Sequence, residues 1–425
     1  MKKFLFLCFL LVAKVGLWAQ EGSLDYFVEQ AKQHAPSLLE VENLQQVGRL
    51  QEEIIKAQNN AFQVDATSEI LVAPYFNSNG KFVDITTNPS VQAIGYDVGI
   101  TNGGLYSAQV NITKNIFNKA VVDRLMLQNQ LANESLALSG EDLTKNMIKN
   151  LTDLYIMTYQ SQLQQTFTGQ LIEDLQTRLK VVEVLVKRGL LSEADFLLVR
   201  SDLETRQLEL EQIGINYRNL YAQLDNLAGV PLQVMDSLSE PNIRPENHGD
   251  SLLFERQYVN DSLQVMAAQE VFENQYRPQV SLYGNTGLNA VDLNNLQRKL
   301  GVSAGLKLTI PLYDGHQKKY NAMQNKLKLD NLDQYRNYNE VQTRNNLESL
   351  QQQIAGQREY VSKMDGQLKV QQQLLELFKG KLVQGQVSII DYLNVIQNYK
   401  ILVFAKFQAR TNLWLLLNQY NYTNW

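Results

Sequence analysis

Apolar and polar positions recur along this chain with two different periods, and the changes of period mark its elements. Between 118 and 188 there is no proline, and Gly140 and Gly169 are the only glycines. Apolar residues fall at helical spacing there, at Leu151, Leu154, Ile172, Leu175, Leu179, Val182 and Val186. A second long run covers 313–384. Within it Leu347, Leu350, Ile354, Gln357, Val361, Met364, Leu368, Gln371, Leu375, Phe378 and Leu382 step alternately by three and four. A repeat of 3.5 residues predicts helices packed as left-handed coiled coils. Roughly seventy residues of helix span about 100 Å, too far to bury in one compact domain. The long helices are therefore expected to pair with returning helices at 192–227 and 388–420, and with shorter ones at 23–63 and 251–277. Pro36 is expected to kink the first of these early.

Elsewhere the period is two. Val64, Ala66, Ser68, Ile70 and Val72 share one side of a segment whose other side holds Asp65, Thr67 and Glu69. A Gly/Asn/Pro-rich loop at 77–89 follows. From 106 to 117, Ala108, Val110, Ile112 and Ile116 alternate with Gln109, Asn111, Thr113 and Asn115. The pattern returns at 280–283 and at 302–310, where Val302, Ala304, Leu306, Leu308 and Ile310 alternate with Ser303, Gly305, Lys307 and Thr309. Four such segments fit an antiparallel sheet over a soluble core. They fit equally a transmembrane barrel, apolar toward lipid and polar toward a lumen.

The two halves are copies. Gly189-Leu190-Leu191-Ser192-Glu193-Ala194-Asp195 returns as Gly385-Gln386-Val387-Ser388-Ile389-Ile390-Asp391, 196 residues later. The offset holds upstream, so 115–199 and 311–395 match without a gap, a tandem duplication. In each copy the glycine closes one helix in the left-handed conformation, and Ser-x-x-Asp starts the next as a capping-box variant. The expected organisation is a leader at 1–19, a first repeat at 20–228, a linker at 229–249 carrying Pro231, Pro241 and Pro245, and a second repeat at 250–425.

Lys2 and Lys3, the apolar run 4–13 and Leu17-Trp18-Ala19 read as a secretory signal peptide cleaved after Ala19. Cys8, the single cysteine of the chain, lies inside it. The formal net charge of −5 becomes −8 once Lys2, Lys3 and Lys14 leave with the leader, which argues against a nucleic-acid partner. His34, His248 and His316 are scattered, and there is neither metal-ligand spacing nor a phosphate loop nor a nucleophile elbow. No enzyme, metal or cofactor is expected.

With Arg277-Pro278-Gln279-Val280-Ser281-Leu282 before the third strand, Pro311-Leu312-Tyr313-Asp314-Gly315 after the fourth, and the Gly-x-x-Ser-x-x-Asp tips, the mature chain resembles the TolC-like outer-membrane efflux protein family. The first copy departs from the second motif at Asn115 and Lys119. The resemblance implies an α+β membrane protein, a homotrimer in the Gram-negative outer membrane with a large periplasmic portion. Each subunit would give four strands to a 12-stranded barrel and its long helices to a coiled-coil tunnel. It implies passive conduction of substrates in efflux or type I secretion, from an inner-membrane pump through a periplasmic adaptor. The adaptor would meet the tips Gly189, Leu190, Leu191, Ser192, Gly385, Gln386, Val387 and Ser388. Asp391 falls at the acidic pore constriction, with Asn394 at the next acidic position, and Asp195 is the matching residue of the first copy. Both aspartates serve equally well as helix caps. The latch positions fall on Val387 and Leu382, so closure is expected from apolar packing of Leu382, Val387, Leu190 and Leu191. A secreted coiled-coil adhesin or spacer is the alternative from another class; it accounts for the heptads but not for the four strands.

Overall fold

The computed structural model describes residues 22–100, 104–232, 237–246, 252–291 and 295–425; the expected leader, Cys8 and parts of the linker lie outside them. Helices α1 (Leu24–His34) and α2 (Pro36–Asn60) precede strands β1 (Gln63–Val72), β2 (Tyr75–Ser78), β3 (Lys81–Asp84) and β4 (Gly104–Ile116). Helices α3 (Lys119–Lys187), α4 (Glu193–Ala228) and α5 (Leu253–Glu273) follow, then β5 (Gln279–Ala290), β6 (Leu300–Thr309), α6 (Gln317–Val383) and α7 (Ile389–Thr423). The long helices run 69 and 67 residues, close to the length read from the missing prolines. Pro36 divides the first helical segment as expected, with Ala35 extended between α1 and α2.

The chain forms two compact units that cut across the duplication, each drawing on both copies. The first comprises residues up to 42, 138–256 and 335–425. One of its two cores joins Phe27 of α1, Leu151, Tyr155 and Ile156 of α3, Tyr217 and Leu224 of α4, and Trp414 of α7. The Tyr155 hydroxyl there donates to the carbonyls of Gly22 at 2.9 Å and Ser239 at 2.7 Å, and burial raises its pKa to about 12. The heptad positions behave as the period predicts: Leu350, Ile354, Met364, Leu375 and Leu382 are buried, and the intervening ones are half-buried.

The second unit, 43–137 and 257–334, carries the strands. Its helices lie close together: Asn129 Nδ2 donates to the Gly48 carbonyl at 2.8 Å, and any Cβ at Gly48 would collide with the Asn133 side chain. Four strands form one antiparallel sheet in the order β1-β4-β5-β6, leaving β1 and β6 as open edges. Asp65, Asn111, Asn285 and Ser303 stand in one row across it. Asn111 Nδ2 donates to Asp65 Oδ2 and to Thr67 Oγ1, both at 2.9 Å, and Ser303 Oγ donates to Asn285 Oδ1 at 2.6 Å. The alternate face is apolar, and it is bare: Ile70 is 73% exposed, Val302 85% and Leu306 68%. A sheet resting on a soluble core would bury these residues. Here nothing among the described residues covers them.

The duplication extends into the strand registers. Gln63 pairs with Thr113, and Gln279 pairs with Thr309. Both Thr residues are related by the 196-residue offset, and both partners open a strand with Gln-Val. The β1–β4 and β5–β6 hairpins are thus built alike. A separate small hairpin, β2–β3, lies in the segment expected to be loop, turning at Asn79-Gly80 with φ of 53° and 77°. Positive φ at both turn residues is the tight hairpin geometry that Asn-Gly favours.

Candidate functional site

Each tip is a helix stop followed at once by a helix start. Gly189 and Gly385 take φ of 72° and 69°. The Gly189 amide donates to the Val186 carbonyl and the Leu190 amide to the Leu185 carbonyl, both at 2.9 Å; Gly385 and Gln386 repeat this toward Leu382 and Lys381. This double closure satisfies carbonyls that a helix end leaves unpaired, and it needs a left-handed residue. Ser192 then caps α4, its Oγ accepting from the Asp195 amide at 3.2 Å while Asp195 Oδ2 accepts from the Ser192 amide at 2.9 Å. Ser388 caps α7 in the same way, accepting from the Asp391 amide at 3.1 Å and donating from its hydroxyl to Asp391 Oδ2 at 2.6 Å. Asp195 thus completes a reciprocal cap of α4, whereas the Asp391 carboxylate is held by the Ser388 hydroxyl alone.

The expected gate residues separate by burial. Leu382 is 2% exposed, in a core with Leu175 and Val182 of α3, Val199 and Leu203 of α4, and Ile389, Tyr392 and Ile396 of α7. Val387 and Leu191 are half-buried against that core. Leu190 alone is exposed, at 68%. Three of the four therefore bind the two tips into one body within the chain. Asp391, Asn394, Gln386, Ser388, Gly385, Gly189 and Ser192 are exposed, whereas Asp195 is half-buried. Val184, Leu197, Val383 and Ile390 join Leu190 as exposed apolar residues near the tips. The first four lie on the helices that flank the turns and not in the turns themselves.

Two ionic clusters tie the helices behind the tips. Asp174 of α3 accepts from the Tyr392 hydroxyl at 3.2 Å and pairs with Lys379 at 3.1 Å and Arg178 at 3.6 Å. Burial, and then the charge of Asp174, push the Tyr392 pKa well up. Further along, buried Lys400 of α7 places Nζ 2.5 Å from Glu209 of α4. Glu209 also pairs with buried Arg206 at 3.1 Å, and Arg206 donates to Gln397 at 2.6 Å. The links between helices, Lys400–Glu209 and Tyr392–Asp174, join residues 191 and 218 positions apart, a separation with no local pattern to reveal it, whereas Arg178–Asp174 and Arg206–Glu209 are pairs about one turn apart on a single helix.

Among the described residues no group of three His, Cys, Asp or Glu side chains could hold a metal ion, and no helix is long and apolar enough to cross a membrane. The arrangement thus offers capped turns, apolar surface and a two-faced sheet. No protein-family model matches the sequence, and no curated protein does. Solved structures do match. The outer-membrane channel OprN aligns with TM-score 0.70 at 14% identity over 94% of this chain and 89% of its own. The outer-membrane protein VceC of Vibrio cholerae aligns with 0.66 at 13% over 94% of both. The CmeC outer-membrane channel of Campylobacter jejuni aligns with 0.68 at 15% over 94% and 85%. Over nearly its whole length, this chain has the fold of the outer-membrane channels.

Proposed function

We propose that the protein is the outer-membrane channel of an efflux or type I secretion assembly, acting as a homotrimer. The observation that carries this reading is the four-stranded sheet, apolar on one face, polar on the other, and open at both edges. Open edges are not tolerated in hydrocarbon, and four strands are too few to close a barrel. Three copies give twelve, with the apolar faces toward lipid. The likeness to solved outer-membrane channels supports the same reading.

In this function the channel is passive. A periplasmic adaptor docks on the tips at Gly189–Ser192 and Gly385–Ser388, linking them to an inner-membrane pump. Exposed Asp391 and Asn394 line the constriction, and Leu190 contributes apolar contact at the tip surface. Leu382, Val387 and Leu191 act through the shared core that holds both tips together. Fractionation and native mass in detergent test the proposal. A trimer in the outer-membrane fraction is expected; a stable monomer that stays soluble overturns it.

A further inference from the structure

The polar face of the sheet carries charge only on its two edge strands, and with opposite sign. Asp65 and Glu69 are on β1, and Lys307 is on β6; the polar face of β4 and β5 has no charged residue. All three are exposed. Edge charges guard a sheet against pairing with itself. Here a β1–β1 pairing would set acid against acid, whereas β6 against β1 sets base against acid. Only that head-to-tail pairing can close into a ring.

The duplication fixes the register of such a seam. Inside the chain, β4 pairs with β5, and Asn111 stands opposite Asn285. The matched hairpins make β6 the counterpart of β4, shifted by 196 residues, and β1 the counterpart of β5, shifted by 216. Applied to the Asn111–Asn285 pair, these shifts give Lys307 opposite Glu69. The same operation sets Leu306 opposite Ile70 and Ala304 opposite Val72, so the apolar face continues across the seam. It also sets Thr309 opposite Thr67.

We infer that neighbouring copies join by β6–β1 pairing in this register, with Lys307 of one copy facing Glu69 of the next on the lumen side. The inference rests on the channel reading above and adds the register and the charge pair to it. Directly opposed residues have Cα atoms about 4.5–5.5 Å apart, within the span of about 4.4–6.8 Å that a disulfide bridges.

The experiment uses full-length protein in a Cys8→Ser background. Glu69→Cys with Lys307→Cys is expected to give covalent dimers and trimers from membrane fractions on non-reducing gels. Asp65→Cys with Lys307→Cys, displaced by four residues or about 13 Å, is expected to give none. Separately, Lys307→Glu should cut the SDS-resistant oligomer about tenfold, since like charges opposed across every seam destabilise it, and adding Glu69→Lys should restore it. An intact oligomer that fails to cross-link at 69 and 307, or a double reversal that does not rescue, overturns the seam alone. A monomer by native mass overturns the channel reading and the seam with it.

Discussion

The two tips share a backbone and differ in what they show to solvent. Both close with a left-handed glycine and restart on a serine. At the first, Asp195 is half-buried and accepts from both the amide and the hydroxyl of Ser192. At the second, Asp391 is exposed, and its carboxylate is held by the Ser388 hydroxyl. The first tip presents Leu190 where the second presents Gln386. Phe196 stands in the first copy where the second has Tyr392, whose hydroxyl reaches Asp174. The duplication kept what makes the turn and let the surface diverge. A residue needed only for the turn should be equivalent in both copies; a residue needed for transport should not.

The comparison breaks most easily at the core. Leu382→Ala should lower stability by about 2–5 kcal/mol, the cost of emptying a buried leucine site. Leu190→Ala, fully at the surface, should stay within about 0.5 kcal/mol. Chemical denaturation followed by helical circular dichroism measures both, and equal losses would mean that Leu190 is buried as well.

Tyr392→Phe comes next, at about 2 kcal/mol for a hydrogen bond to a carboxylate. It also has a pH fingerprint. Burial and Asp174 keep the Tyr392 proton on above the ordinary phenol value near 10. The folded chain then holds a proton that the unfolded chain releases, so this contribution is complete below about pH 10 and is lost as pH rises further. A thermal-stability series across alkaline pH should show a shallower decline in Tyr392→Phe than in the parent protein.

Removing the caps should cost less. Ser192→Ala and Ser388→Ala are each expected to destabilise by about 1 kcal/mol, the former more because its box is reciprocal. The smallest stability effect belongs to Asp391→Asn, which keeps the helix capped by Ser388. Yet in single-channel recording it should relieve block by multivalent cations, while Asp195→Asn should not. Equal relief by both variants would make the tips functionally equivalent and undo the contrast.

Much of this was legible because it is local or periodic. The tips depend on contacts within five residues, the seam on a heptad, and the sheet on alternation that survives in Val64–Val72 and Val302–Thr309. The burial of Leu382 was also written there, since it is the last position of the heptad series. The β2–β3 hairpin carried a local signal in Asn79-Gly80, hidden by the short strands on either side. The Asp174–Tyr392–Lys379 cluster had no such signal. It draws on three helices, and its members look individually like solvated positions.

Sequence distance also sets an order of events. The helical hairpin α3–α4 closes across a turn of a few residues, but β4 meets β5 only by bringing Ile116 to Val280, past the whole of α3, α4 and α5. Local contacts form early, and loop closure over long spans comes late. The helices are therefore expected to assemble before the sheet, keeping its apolar face from being complete while the chain is still in water. Pulsed hydrogen exchange during refolding in detergent should show amides of α4 and α7 protected before those of β4 and β5.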